Sequence, residues 1–262
     1  MDIDIGIITL KKHSELFEHM KLLFPNANIF LQPGVDVRTS SLKQLRDADI
    51  IGDHGYITLS DGRKSHFELN SKGGIGVFLA NKLALLKDVT RPLLLFEDDC
   101  VIKNDVKFLQ ELDILLHHQS EYDVAVFGGL LINTPIRKEC TTFFKNNDWN
   151  YIEGDFILMH SVLYSANGRE KIGQYYLEHK LNMQIDGLIS LLSKRNIVRL
   201  MIQSQNHTTG QKTHFSSIQN DLCILCYFKG GQQGDRIIIM VCLLICFLLY
   251  LAFRNHYKKC IN

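Results

Sequence analysis

Three consecutive carboxylates, Glu97, Asp98 and Asp99, are the residues of this chain whose types and spacing best suit chemistry. Adjacent negative charges repel one another unless a cation or a basic ligand offsets them. A hard divalent metal, Mn²⁺ or Mg²⁺, would do so through oxygen ligands and could also hold a diphosphate. The alternative is an acidic turn, solvated and inert.

The element that must position these acids is the apolar run before them, PLLLF from Pro92. Such a run reads as a strand buried on both faces, as in a parallel sheet. The acids then fall at its carboxyl end, where open α/β sheets bind ligands. Upstream, IDIGIITL from Ile3 reads as a first strand. Ser14 can cap the helix that follows, which carries an apolar stripe of Leu16, Phe17, Met20, Leu23 and Phe24. Ala27 to Leu31 reads as a second strand, so the chain opens with a strand, a crossover helix and a strand. Residues 32–70 read as a loop-rich connection, with a short helix near Leu42 to Ala48 and a turn at Asp61-Gly62. A helix is expected over Ser71 to Lys87. Gly73, Gly74 and Gly76 crowd its start, where backbone N–H groups could approach a phosphate or where helices could pack closely. The spacing is neither a dinucleotide fingerprint nor a P-loop.

Beyond the acids, Val106 to His117 reads as a helix and Tyr122 to Phe127 as a strand. Residues 133–154 read as an irregular segment holding the only tryptophan, Trp149, with Tyr151 beside it. Either ring could stack on a sugar or a base, or simply pack in the loop. Phe156 to Tyr164 reads as one strand, and Ala166 to Leu177 as a helix with Asn167 or Gly168 near its cap. Asp186 opens a further helix, IDGLISLL, and Ile197 to Ile202 forms a late strand. The polar stretch Gln203 to Gln219 carries His207 and His214, and the domain is expected to end there.

The chain has 262 residues, with 29 Lys plus Arg against 28 Asp plus Glu, a formal net charge of +1. That balance gives no reason to expect a nucleic-acid partner. The seven cysteines are odd in number and scattered, which favours a reducing compartment over a disulfide scaffold. Cys223 and Cys226 form a lone CxxC without the further ligands a zinc site needs. No signal peptide is expected at the start. Residues 237–253, IIIMVCLLICFLLYLAF, contain no charge, Pro or Gly. At 1.5 Å per residue they span roughly 25 Å, enough for a short transmembrane helix. The expected organisation is a catalytic domain over 1–220, a Gly-rich and Gln-rich linker over 221–236, the membrane helix over 237–253 and a basic tail over 254–262. The domain is expected to face the cytosol, although the basic tail favours a cytoplasmic tail instead.

Five stretches together resemble glycosyltransferase family 25, the lipopolysaccharide and collagen galactosyltransferases. IITLKKHSELFEHMKLLFP from Ile7 is similar to the family's opening strand and basic helical segment. LNSKGGIGVFLANKLALLK from Leu69 is similar to its Gly-led helix, and LLLFEDDCVI to its acidic metal motif. QIDGLISLL from Gln184 resembles the late Asp-bearing helix, and FSSI from Phe215 the closing Ser-Ile. The likeness covers roughly residues 3–219. It departs where the family usually has Ser-His, here Ala80-Asn81, and in the first helix, where Glu18 and His19 stand in the region of a usual arginine.

The resemblance implies an α/β, GT-A-like nucleotide-sugar-binding fold with a mostly parallel central sheet, a divalent metal, a nucleotide-diphosphate sugar donor and inversion at the anomeric carbon. Glu97 and Asp99 would then hold the metal. Thr9, Leu10, Gly74 and Asp98 would bind the nucleotide sugar, with Asp98 on the ribose, since successive side chains in an extended run cannot all point one way. An inverting displacement needs a base on the acceptor hydroxyl. Asp186 is the first candidate and Asp155 the second, and His207 or His214 could add a metal ligand. The expected function is transfer of a hexose to a hydroxyl of a glycan, glycolipid or protein acceptor. The alternatives are a catalytically inactive, membrane-anchored binding module, which the Ala80-Asn81 departure motivates, and a metal-dependent phosphohydrolase or nuclease using the same acids.

Overall fold

The computed structural model describes residues 2–62, 65, 67–87, 90–132, 149–152, 154–157, 159–203 and 209–211. The chain divides into two compact units, residues 1–62 with 67–220, and residues 63–66 with 221–262; of the second only Ser65 is described. The first unit alternates strands and helices: β1 (Asp4–Thr9), α1 (Glu15–Leu23), β2 (Asn28–Pro33), α2 (Leu42–Asp47), α3 (Asp53–Asp61), α4 (Lys72–Leu86), β3 (Leu93–Glu97), β4 (Cys100–Ile102) and α5 (Asp105–His117). It continues through β5 (Val124–Val126), β6 (Leu130–Ile132), β7 (Trp149–Ile152), β8 (Asp155–Ile157), β9 (Ser161–Tyr164), α6 (Ala166–Glu178), α7 (Ile185–Lys194), β10 (Leu200–Gln203) and β11 (Thr209–Gln211).

Seven strands form the central sheet in the order β2-β1-β3-β9-β5-β10-β7. The β1–β2, β1–β3 and β5–β10 pairs are parallel. β9 runs against both β3 and β5, and β7 against β10. The sheet is thus mostly parallel, as expected, with a reversed strand near its middle. The apolar run of β3 is explained by two-sided burial. Leu93 and Leu95 face a core built with Phe78, Ala84 and Leu85 of α4, Ile172 and Tyr176 of α6, and Leu188 and Leu192 of α7. Leu94 and Phe96 face the other core, with Leu16 and Met20 of α1 and Phe108, Leu112 and Leu115 of α5.

One buried cation ties the amino end of this sheet to its helices. Arg169 of α6 is 0% exposed and ion-paired with Asp4 of β1 at 3.0 Å. Its remaining N–H groups donate to the carbonyls of Ala84, Leu85 and Arg91. It therefore adds donors to carbonyls at the C-terminus of α4, where helix carbonyls run short of partners.

Several expectations change in detail. Residues 53–61 read as loop but form α3, where Asn182 Oδ1 accepts the Gly55 N–H at 3.1 Å and contributes a tertiary contact. Phe156 to Tyr164 is not one strand. β8 pairs with β6 in a separate two-stranded sheet, while β9 enters the central one. Trp149 begins β7 rather than standing in a loop, and Ser165, not Asn167 or Gly168, is the cap of α6, its Oγ accepting the Gly168 N–H at 3.0 Å. Among the described residues no helix is long and apolar enough to cross a membrane; residues 237–253 lie outside them.

Candidate active site

The carboxyl edge of the sheet gathers residues that lie far apart in sequence. β1 ends at Thr9 and the parallel β3 ends at Glu97, with Ile8 opposite Glu97 in the register. The Asp98 N–H donates to the Ile8 carbonyl at 3.1 Å, and the Glu97 N–H to the His160 carbonyl at 3.0 Å. The backbone of the acid stretch is thereby pinned from both neighbouring strands. Thr9 Oγ1 donates to Asp98 Oδ2 at 2.6 Å and accepts the Lys11 N–H at 3.0 Å. Thr9 is 4% exposed and Leu10 beside it is 60% exposed, so the two present a buried hydroxyl and an open apolar rim.

Asp186, in the first turn of α7, belongs to the same cluster. Its charge acts on Glu97, as do those of Asp99 and Asp98. Burial first, and then these three carboxylates, push the Glu97 carboxyl up to about 8. α7 is brought there by its N-terminal approach: the Gln184 N–H donates to the Phe67 carbonyl at 2.7 Å, and Met183 bridges Glu68. The Asp186 side chain also accepts the Gly187 N–H at 2.8 Å, holding one oxygen at the helix start.

Asp155 lies elsewhere. It is ion-paired with Lys194 in the last turn of α7, and the N–H of the next residue, Phe156, donates to Ser190 Oγ. Asp186 thus acts on the acid stretch, and Asp155 is engaged by Lys194 instead. Gly74 sits in the first turn of α4, where Ser71 Oγ accepts its N–H at 3.3 Å. A Cβ there would meet nothing closer than 3.8 Å, so no packing demand explains this glycine. Gly76 is different: a Cβ would lie 2.2 Å from the Val35 carbonyl oxygen, and close packing of α4 accounts for it.

Ala80 and Asn81 are both buried in α4, and Asn81 Nδ2 donates to the Val77 carbonyl at 3.0 Å. His19 lies 3.0 Å from Asp105, joining α1 to the first turn of α5. Trp149 is fully buried, with its ring edge-on to Phe127 at 5.1 Å, so it packs and does not present a stacking face. The side chain of Tyr151, and His207, His214, Cys223 and Cys226, lie outside the described residues.

One site residue has no signal in the sequence. His160 stands in an apolar strand-like run, yet the chain delivers it to the acid edge just before β9. It is 2% exposed. Burial lowers its affinity for a proton, against the opposing pull of the Asp99 carboxylate. Only the insertion of β9 beside β3, a long-range pairing, reveals it.

The carboxylates and the Thr9 hydroxyl here are hard oxygens, the type that suits Mg²⁺ or Mn²⁺. Among the described residues no three His, Cys, Asp or Glu side chains converge to hold a metal. A Mg²⁺-type ion commonly takes only one or two carboxylates and completes its shell with substrate phosphates and water. The cluster fits that mode and not an all-protein cage.

The fold and the edge cluster together define an α/β protein with an acidic site at the carboxyl end of a mixed sheet. No family model and no curated protein sequence matches the chain. Among solved structures, a UDP-glucose pyrophosphorylase complexed with UDP-glucose is similar at 13% identity, covering 78% of this chain and 90% of that one, with a TM-score of 0.42. A197 from STIV is similar at 11% identity, over 79% and 83% of the two chains, with a TM-score of 0.40. The galactosyltransferase LgtC, in complex with donor and acceptor sugar analogues, is similar at 11% identity, over 72% and 70%, with a TM-score of 0.33.

Proposed function

We propose that this chain is a metal-dependent glycosyltransferase. It moves a hexose, galactose or glucose, from a nucleotide-diphosphate sugar to a hydroxyl of a glycan, glycolipid or protein, with inversion. The observation that carries this reading is that the charges of Asp99, Asp186 and Asp98 all act on Glu97, at the sheet edge where Thr9 holds Asp98. Glu97 and Asp99 would hold Mn²⁺ or Mg²⁺. A cation there supplies charge neutralisation for the departing nucleotide diphosphate. The Thr9 hydroxyl fixes one oxygen of Asp98, and the other is left to accept from a ribose hydroxyl. Gly74, where a Cβ would make only ordinary van der Waals contact and packing asks for no glycine, lets the α4 N-terminus approach the donor. Asp186, in the first turn of α7, takes the proton from the acceptor hydroxyl as general base. Residues 237–253 anchor the protein in a membrane, with the catalytic domain facing the cytosol.

Transfer to water tests the reading without knowledge of the acceptor. The full chain, incubated with a panel of nucleotide sugars, should release a nucleotide diphosphate from one donor with Mn²⁺ and not with chelator. Asp99→Ala should abolish release. Equal release in chelator, or from the variant, would remove the proposed site.

A further inference from the structure

A second concavity lies on the opposite side of α7 from the acids. It is a cavity of about 220 Å³ between the end of α6, the segment 180–183, α4 and α7. Leu188, Leu191 and Arg195 line it from α7. With about 100° between successive residues of a helix, these three form one stripe and Asp186 falls on the opposite face. The cavity is therefore separate from the candidate active site.

Its lining has two parts. Phe78, Tyr176, Leu188 and Leu191 make an apolar and aromatic wall. Tyr176 is fully buried, and its hydroxyl has no hydrogen-bond partner among the described residues. The rim is cationic and exposed at Lys180 and Arg195. Lys180 is already engaged with Asp49 at 2.6 Å. Arg195 has no carboxylate partner among the described residues, so its guanidinium remains available at the mouth.

We propose that this cavity binds a small ring-bearing carboxylate, with the ring against Phe78, Leu188 and Leu191 and the carboxylate on Arg195. Size and chemistry agree. An apolar cavity of roughly 150 Å³ is enough to take a benzene ring. Arginine meets a carboxylate through two parallel hydrogen bonds, stronger than those between neutral groups.

Benzoate, cyclohexanecarboxylate and the neutral benzyl alcohol are the probes, titrated into the full chain and followed by ligand-detected NMR. The two carboxylates should bind saturably, and benzyl alcohol at least tenfold more weakly. Arg195→Gln, at an exposed position, should weaken benzoate at least fivefold and leave benzyl alcohol unchanged. Leu191→Trp, which fills the space, should remove binding of all three. The absence of saturable binding, equal affinity for benzoate and benzyl alcohol, or undiminished benzoate binding to Arg195→Gln would each overturn the proposal. If Leu191→Trp does not fold, the Arg195→Gln comparison decides alone.

Discussion

Glu97 is the residue whose state reports on the whole acid cluster. Its carboxyl is pushed up to about 8 in the folded protein from an ordinary value near 4.5. Between those values the native state keeps a proton that the unfolded chain has lost, so stability falls as pH rises. The contribution is fully present below pH about 4.5 and gone above about 8. Thermal melts of the metal-free protein should show this decline, Glu97→Gln should flatten it, and Mn²⁺ should raise the melting temperature most at the alkaline end. A wild-type slope unchanged in Glu97→Gln would place the effect elsewhere. Asp186 and Asp155 separate by kinetics. Asp186→Asn should lower transfer by about 10²–10⁴-fold, the usual size of a general-base contribution. Asp155→Asn breaks only a partly exposed pair and should cost about 1 kcal/mol or less, with transfer retained. Equal losses in both variants would argue against the assignment of the base. The three adjacent acids were legible in the sequence because local charge repulsion alone marks them. The approach of Asp186 to them was not, because it depends on long-range contacts of residues 183–184 with 67–68. His160 was invisible, since a histidine in an apolar run gives no local sign of a carboxylate neighbour.

At the scale of elements, α4 carries two glycines with opposite roles. Gly76→Ala would force its Cβ against the Val35 carbonyl and should destabilise by about 1–3 kcal/mol, with donor binding in the surviving folded fraction unchanged. Gly74→Ala meets no such obstacle. It should leave stability unchanged or raise it by up to about 1 kcal/mol, the helix-propensity difference, while weakening donor binding. Denaturant melts and nucleotide-sugar titrations of both variants check the pair, and a destabilised Gly74→Ala would refute the distinction. Helix α1 was legible because its apolar residues recur at helical spacing. α3 was not, because Gly55 and the β-branched Ile57 and Thr58 give its nine residues little intrinsic preference, and contact with 181–182 contributes to holding it. The break between β8 and β9 also had no local signal, since both strands are apolar and only their partners differ.

At the scale of the whole molecule, the proposed membrane anchor makes the plainest claim. The full chain should sediment with membranes and resist alkaline carbonate, and removal of residues 237–253 should release it. Release of the full chain by carbonate would leave that segment without its assigned role. The alternation of strands and helices announced an α/β sheet, but strand order lies beyond local pattern. Nothing near 161–164 says that β9 runs backwards between β3 and β5. That insertion also sets the timing of the protein's birth. β3 is complete at Glu97, whereas β9 begins about 60 residues later, several seconds of synthesis at roughly 5–20 residues per second. Throughout that interval the apolar strand that carries the acids has β1 on one side and an open edge on the other. Open apolar edges recruit foreign strands. The ribosome-bound chain is therefore most exposed to mispairing at the very strand its chemistry depends on, and an occupant of that edge, such as a chaperone, would have to leave before the catalytic centre can close.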